Sequence, residues 1–321
     1  MLELPPELEG GTYSGCEDFD LDNLVIFGAI DAALFCACGF DEADNVKISS
    51  SGEDDIDLDC LDVVDGDLEI DLCGANTIDL SSLGSIGESA NIHDNYDTDE
   101  IWLDSVAMVG GSLSLNNNIS LSVLDIDAMV EVGGSLTMNS NSSLETLYAP
   151  SLDTIQGSLQ FNSNSGIEDI VFESLTTIEG DFRFNYNHYV ERVSMPALTE
   201  LQGQLYIYNN ERLESLVFSS LSEISSSIEI QYNYQLELVD FSSLQVVNGS
   251  MQMYYMNQLD ELSLPSLEEV NGNLNISNNN LGDLGAHIKS FGRGLSSNKT
   301  LTQLDVSNNR LLPDGIKVVC N

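Results

Sequence analysis

Residues 134–156 read GSLTMNSNSSLETLYAPSLDTIQ, residues 157–179 read GSLQFNSNSGIEDIVFESLTTIE, and residues 180–202 read GDFRFNYNHYVERVSMPALTELQ. Each unit has 23 residues and opens on glycine. The lead position recurs as Gly111, Gly134, Gly157, Gly180, Gly203, Ser226, Gly249 and Gly272. A fixed period of this length marks a solenoid, because one unit cannot bury its own apolar face and must stack on its neighbours. Two and four positions after the lead stand Leu113 and Leu115, Leu136 and Met138, Leu159 and Phe161, Phe182 and Phe184, Leu205 and Ile207, Ile228 and Ile230, Met251 and Met253, and Leu274 and Ile276. Apolar residues at alternate positions make a short strand with one face inward. Stacking then places these strands in a parallel sheet about 4.8 Å apart.

Seven positions after the lead the column reads Asn118, Asn141, Asn164, Asn187, Asn210, Asn233, Met256 and Asn279. An amide both donates and accepts, so a stacked asparagine satisfies backbone groups of neighbouring turns where each strand bends away. Met256 breaks this ladder. Further apolar columns line the back of the core: Leu124 to Leu262, Met129 to Leu267 and Val132 to Val270. Pro150, Pro196 and Pro265 share one position there, which predicts extended rather than helical backs.

The pattern continues with looser spacing on both sides. Upstream, Val46 and Ile48, Leu68 and Ile70, and Ile92 followed by Asn95 begin three earlier turns, with Cys73 in the ladder position of one. Downstream, Leu301 to Leu311 reads LTQLDVSNNRL, a leucine-rich signature. The preceding insert, GAHIKSFGRGLSSNK, has room for one helical turn. About twelve turns are expected, a rod of roughly 55–60 Å at the strand spacing. The expected organisation is an N-terminal cap over 1–43, the solenoid over 44–312 and a short tail over 313–321.

The phrases GSLTMNSNSSLETLYAPSLDTI and LELVDFSSLQVVNGSMQM resemble the leucine-rich repeats of receptor L domains. They are most similar to the fungal GPI-anchored proteins of cell-wall organisation and sporulation. The resemblance covers about residues 44–312. It implies a right-handed β-rich coil, and a secreted or surface-attached, glycosylated protein without catalytic activity. The acidity of the chain and the lack of a hydrophobic C-terminal tail depart from that family.

The chain carries 53 Asp and Glu against 9 Lys and Arg, a net charge of −44. Nucleic acid and anionic membranes are excluded as partners by repulsion. A solvated surface, a high-salt setting and calcium binding all accommodate the acidity, although no segment has EF-hand spacing. No Lys or Arg occurs in residues 1–23, so a basic signal-peptide start is not visible. The apolar run Leu24 to Phe40 is too short to span a bilayer. It predicts a cap helix with Leu24, Phe27, Ile30 and Leu34 along one face.

Four of the six cysteines, Cys16, Cys36, Cys38 and Cys60, cluster near the N-terminus. Disulfides staple such a cap in an oxidising compartment. A metal knuckle would need a second spaced pair. Cys320 lies about ten turns from Cys73, roughly 48 Å at the strand spacing, too far for a bridge. The histidines His93, His188 and His287 fall in unrelated turns, and carboxylate pairs such as Glu168/Asp169 and Glu268/Glu269 recur at turns. No catalytic constellation, metal or cofactor is expected from them. Of five Asn-X-Ser/Thr sequons, those at Asn118 and Asn141 lie on the ladder. Asn248 and Asn298 are the expected glycosylation sites.

The outward strand positions carry little charge for so acidic a chain. From the turn at Gly111 onward they hold Ser, Thr, Asn, Gln and Tyr, with Asp181, Arg183 and Glu229 the charged members. Tyr206, Tyr208 and Tyr254, edged by Arg183, Gln231 and Gln252, form a candidate ligand face. Rings that stack and amides that donate and accept in pairs suit a glycan or a protein surface. Small polar and aromatic residues also favour exposed strand positions on propensity alone. The expected function is a monomeric, non-catalytic extracellular or cell-surface binding or scaffold protein. An ice- or mineral-interacting protein is the alternative, and a carbohydrate-active enzyme would require convergent carboxylates in a groove.

Overall fold

A computed structural model describes residues 15–49, 55–281 and 300–309. Asn298, His287, Cys320, the whole insert and the tail over 313–321 lie outside them. The chain divides into two compact units, Met1–Ala149 and Pro150–Asn321. Both are built the same way, as turns of a parallel β-solenoid of about 11 turns in total.

In the first unit the main sheet runs through Asn23–Ile26, Asn45–Ile48, Leu68–Asp71, Ala90–His93, Leu113–Asn116 and Leu136–Asn139. In the second it runs through Leu159–Asn162, Phe182–Asn185, Leu205–Tyr208, Ile228–Gln231, Met251–Tyr254, Asn273–Asn275 and Gln303–Asp305. Pairing is parallel and follows the repeat: Leu159 faces Phe182, Phe182 faces Leu205, and Leu205 faces Ile228. Inward positions such as Leu136, Phe161, Phe184 and Ile207 are fully buried. Phe182, Phe218 and Phe241 contact in series, with centroids 6.1 and 5.7 Å apart. The backs of the turns are two- and three-residue strands, extended as the prolines require.

From Leu68–Asp71 onward, each main-sheet strand is followed within three residues by one with positive φ. Leu72, Asp94, Asn117 and Ser140 in the first unit, and Ser163, Tyr186, Asn209, Tyr232, Tyr255, Asn278 and Asn308 in the second, have φ between 51° and 61°. A left-handed residue with a side chain costs about 1–2 kcal/mol. The next residue, the buried ladder asparagine, holds the bend. Asn210 donates Nδ2 to Phe184 O at 3.0 Å, and its Oδ1 accepts the Asn187 N–H at 2.9 Å. Asn118, Asn141, Asn187, Asn233 and Asn279 donate in the same way to the preceding turn. Cys73 keeps the pattern with a thiol 3.6 Å from Ile48 O, while its N–H goes to Asn95 Oδ1. Met256 has no amide to offer, but its N–H still reaches Asn279 Oδ1 at 3.0 Å. The ladder also extends one turn beyond Asn279, to Asn309, whose Nδ2 reaches Ile276 O at 2.7 Å.

The lead glycines are required by close stacking. A Cβ at Gly203 would collide with the carbonyl of Gly180 in the turn before.

At the N-terminus the expected long cap helix is replaced by a strand and a shorter helix. Leu24 lies in the strand Asn23–Ile26, which pairs with Asn45–Ile48, so the main sheet starts one strand before the Val46 turn. Helix α1 spans Ala29–Cys38 and ends on Gly39, at φ 75°. It buries Asp31, Ala32, Leu34 and Phe35, whereas Phe27 is exposed and Ile30 only half-buried. Periodicity misassigned Leu24 and Phe27 because the alternation of Leu24 and Ile26 matches a strand, and Gly28 separates it from the helix. Phe19, Phe35 and Phe40 pack together at this end. Disulfides Cys16–Cys38 and Cys36–Cys60 tie α1 to its flanking segments.

Candidate binding face

Register places the candidate residues on two adjoining rows of the second unit. One row is Arg183, Tyr206, Glu229 and Gln252; the other is Asn185, Tyr208, Gln231 and Tyr254. Strand alternation buries Leu205, Ile207, Ile228 and Met253 beneath them and leaves Tyr206, Tyr208, Gln252 and Tyr254 half-exposed. Tyr206 and Tyr208 lie nearly parallel, with centroids 6.0 Å apart. Gln231 departs from expectation. It is only 9% exposed, packed between Tyr208 and Tyr254, with Nε2 near Glu229. Its large neighbours cover it, so it supports the face more than it meets a ligand. Arg183 donates through Nε and Nη2 to Asp181 Oδ2 at 3.2 and 2.8 Å. Burial works to raise the Asp181 carboxyl, but the Gln204 N–H and Arg183 outweigh it and hold it below its ordinary range.

The sequence reading missed half of the aromatic surface. Tyr186, Tyr232 and Tyr255 occupy the left-handed bend position, and that conformation turns them toward the strand tyrosines. Tyr232 is the hub: it lies 5.4 Å from Tyr208, 6.4 Å from Tyr254, 6.3 Å from Tyr234 and 5.0 Å, stacked, from Tyr255. Tyr186 meets Tyr208 at 5.5 Å. The signal was present as a 23-residue column, but nothing in the spacing says which way a bend residue points.

Burial, followed for Tyr206 by the Glu229 carboxylate and for Tyr254 by Tyr232, pushes both phenols above their ordinary range. At neutral pH they are therefore protonated donors. An outer amide row runs along the same face, in which Asn185 Nδ2 donates to Asn162 Oδ1 at 2.9 Å. It stops where Tyr208 takes the next position, and the buried Asn185 Oδ1 has no donor among the described residues. The site thus combines rings and phenol donors.

Elsewhere, the carboxylates considered for catalysis are surface groups. Glu168 and Asp169 are exposed, and Asp169 binds Arg192 at 2.7 Å. His188 lies 3.5 Å from Glu211. The structure does gather Glu69, Asp71 and His93 on the main sheet of the first unit, which sequence spacing did not suggest. Lys47 already bonds both carboxylates at 3.1 and 3.0 Å, filling the place a cation would take. The low charge of the outer face therefore holds from the Gly111 turn onward and not upstream of it. Ladder residues Asn118 and Asn141 are fully buried, and Asn248 is exposed. Among the described residues no helix is long and apolar enough to cross a membrane.

Residues 130–245 match the receptor L domain family. Among solved structures the chain is similar to a leucine-rich repeat protein from Eubacterium ventriosum, at 11% identity and a TM-score of 0.28 over 84% of each chain. It is also similar to an internalin from Listeria monocytogenes, at 13% identity and a TM-score of 0.20, over 87% of this chain and 84% of that one. No curated protein matches. The matched segment contains Arg183, Tyr206, Tyr208 and Gln231.

Proposed function

We propose that this protein is an extracellular or cell-surface binding module that holds a neutral glycan, or a polar protein surface, on the tyrosine face of its second unit. The single observation that carries the reading is the continuous ring network from Tyr186 through Tyr208 and Tyr232 to Tyr255. Stacked sugar rings use such faces, and tyrosines lose little rotamer freedom on binding. The phenol hydroxyls supply directional bonds beside the rings. The two disulfides fit an oxidising compartment. The similarity of the repeats to fungal wall proteins supports a wall-associated setting, with glycosylation at Asn248.

A screen of neutral glycans and wall polysaccharides tests the proposal. Tyr206→Ala with Tyr208→Ala should abolish binding without loss of fold, because both side chains point outward. Binding should change little with salt, since a neutral glycan releases no counterions. A double mutant that binds its partner as well as the wild type would refute this placement.

A further inference from the structure

A five-stranded sheet on the back of the first unit forms a second surface of a different chemistry. Asp57, Asp79, Trp102, Asp125 and Tyr148 follow one another in register across five strands. Trp102, the chain's single tryptophan, thus stands between two aspartates at the strand spacing of about 4.8 Å. It is 43% exposed. Around it opens a cavity of about 360 Å³ lined by Glu100, Ile101, Asp104, Val123 and Asp125. Trp102 Nε1 donates to Glu100 Oε2 at 3.2 Å, which fixes the edge of an indole that itself lines the cavity. Burial, and then the neighbouring Asp127 and Asp104 carboxylates, lift the Asp125 carboxyl above its ordinary range despite the Asp127 N–H bonded to it.

Among the described residues no Lys or Arg pairs with these carboxylates. The sequence holds no Lys or Arg between Lys47 and Arg183, and Lys47 is committed to Glu69 and Asp71 on the main sheet. A small metal ion would use the oxygens and gain nothing from the indole. A neutral sugar would use the indole and leave the charge unanswered. An alkylammonium group uses both: its charge faces the π surface and the carboxylates, and its stem covers the exposed Val123.

We propose that the Trp102 cavity is a binding site for an organic ammonium group on a short aliphatic stem, such as a free polyamine or a lysine side chain. The single tryptophan reads the site directly. Titrating the full chain with spermidine, or with Nα-acetyl-lysine amide, at constant ionic strength should give a saturable change in indole emission. The arm that saturates at the lower concentration names the source. By calorimetry, Trp102→Leu and Asp125→Asn should each weaken the interaction by roughly fivefold or more. An unchanged circular dichroism melt would show that both variants are folded. Three results would overturn the proposal: a response that sodium chloride reproduces, calcium competing as well as spermidine with Trp102→Leu unaffected, or a saturable response to cellobiose instead. None of these touches Tyr206 or Tyr208, so this site and the glycan face fail or stand separately.

Discussion

Asn210→Ala tests whether the ladder holds the coil. Asn210 is fully buried. Its side chain makes two bonds to backbone groups of the preceding turn, Nδ2 to Phe184 O at 3.0 Å and Oδ1 from the Asn187 N–H at 2.9 Å. Alanine removes both partners without admitting water. An orphaned buried backbone group costs about 1–3 kcal/mol, so two of them should lower stability by about 2–4 kcal/mol after partial relaxation. Urea unfolding followed by far-UV circular dichroism measures the total. Native-state hydrogen exchange measures the local part, because the Asn187 amide loses its acceptor and should exchange about tenfold faster or more. A solenoid unfolds by segments, so the exchange result discriminates even where the urea transition is broad. A loss below about 0.5 kcal/mol, together with unchanged protection at Asn187, would refute the view that these amides carry backbone bonds the fold cannot replace.

Glycopeptide mapping of secreted material should find sugar on Asn248 and none on Asn118 or Asn141, whose amides are buried in the ladder. Ser140 sits at φ 59°; Ser140→Gly should be neutral or stabilising, while Ser140→Val should be less stable than glycine by about 1–2 kcal/mol in thermal unfolding. Replacing Cys36 and Cys60 together by serine frees a link between residues 24 apart and should cost about 3 kcal/mol in the first unit, read by the emission of Trp102 during denaturation.

The 23-residue period was enough to determine the stacking, the strand register, the inward columns and the asparagine ladder. In a solenoid every contact is with the adjacent turn, so residues at equal phase must be neighbours. The same rule located Tyr206, Tyr208 and Tyr254 on one face. What tertiary structure alone decided lies where phase says nothing. Leu24 and Phe27 lie outside the exact repeat, so their apolar spacing did not tell strand from helix until the sheet took Leu24. Tyr232 became the hub of the aromatic face because a left-handed bend turned it back toward the strands, and φ is not written in a column of side chains. Gln231 was visible as an outward residue, but only the bulk of Tyr208 and Tyr254 on either side determined that it is buried. Trp102 was a lone tryptophan in the sequence; the back strands set it between Asp79 and Asp125, beside a concavity that Asp125 also lines.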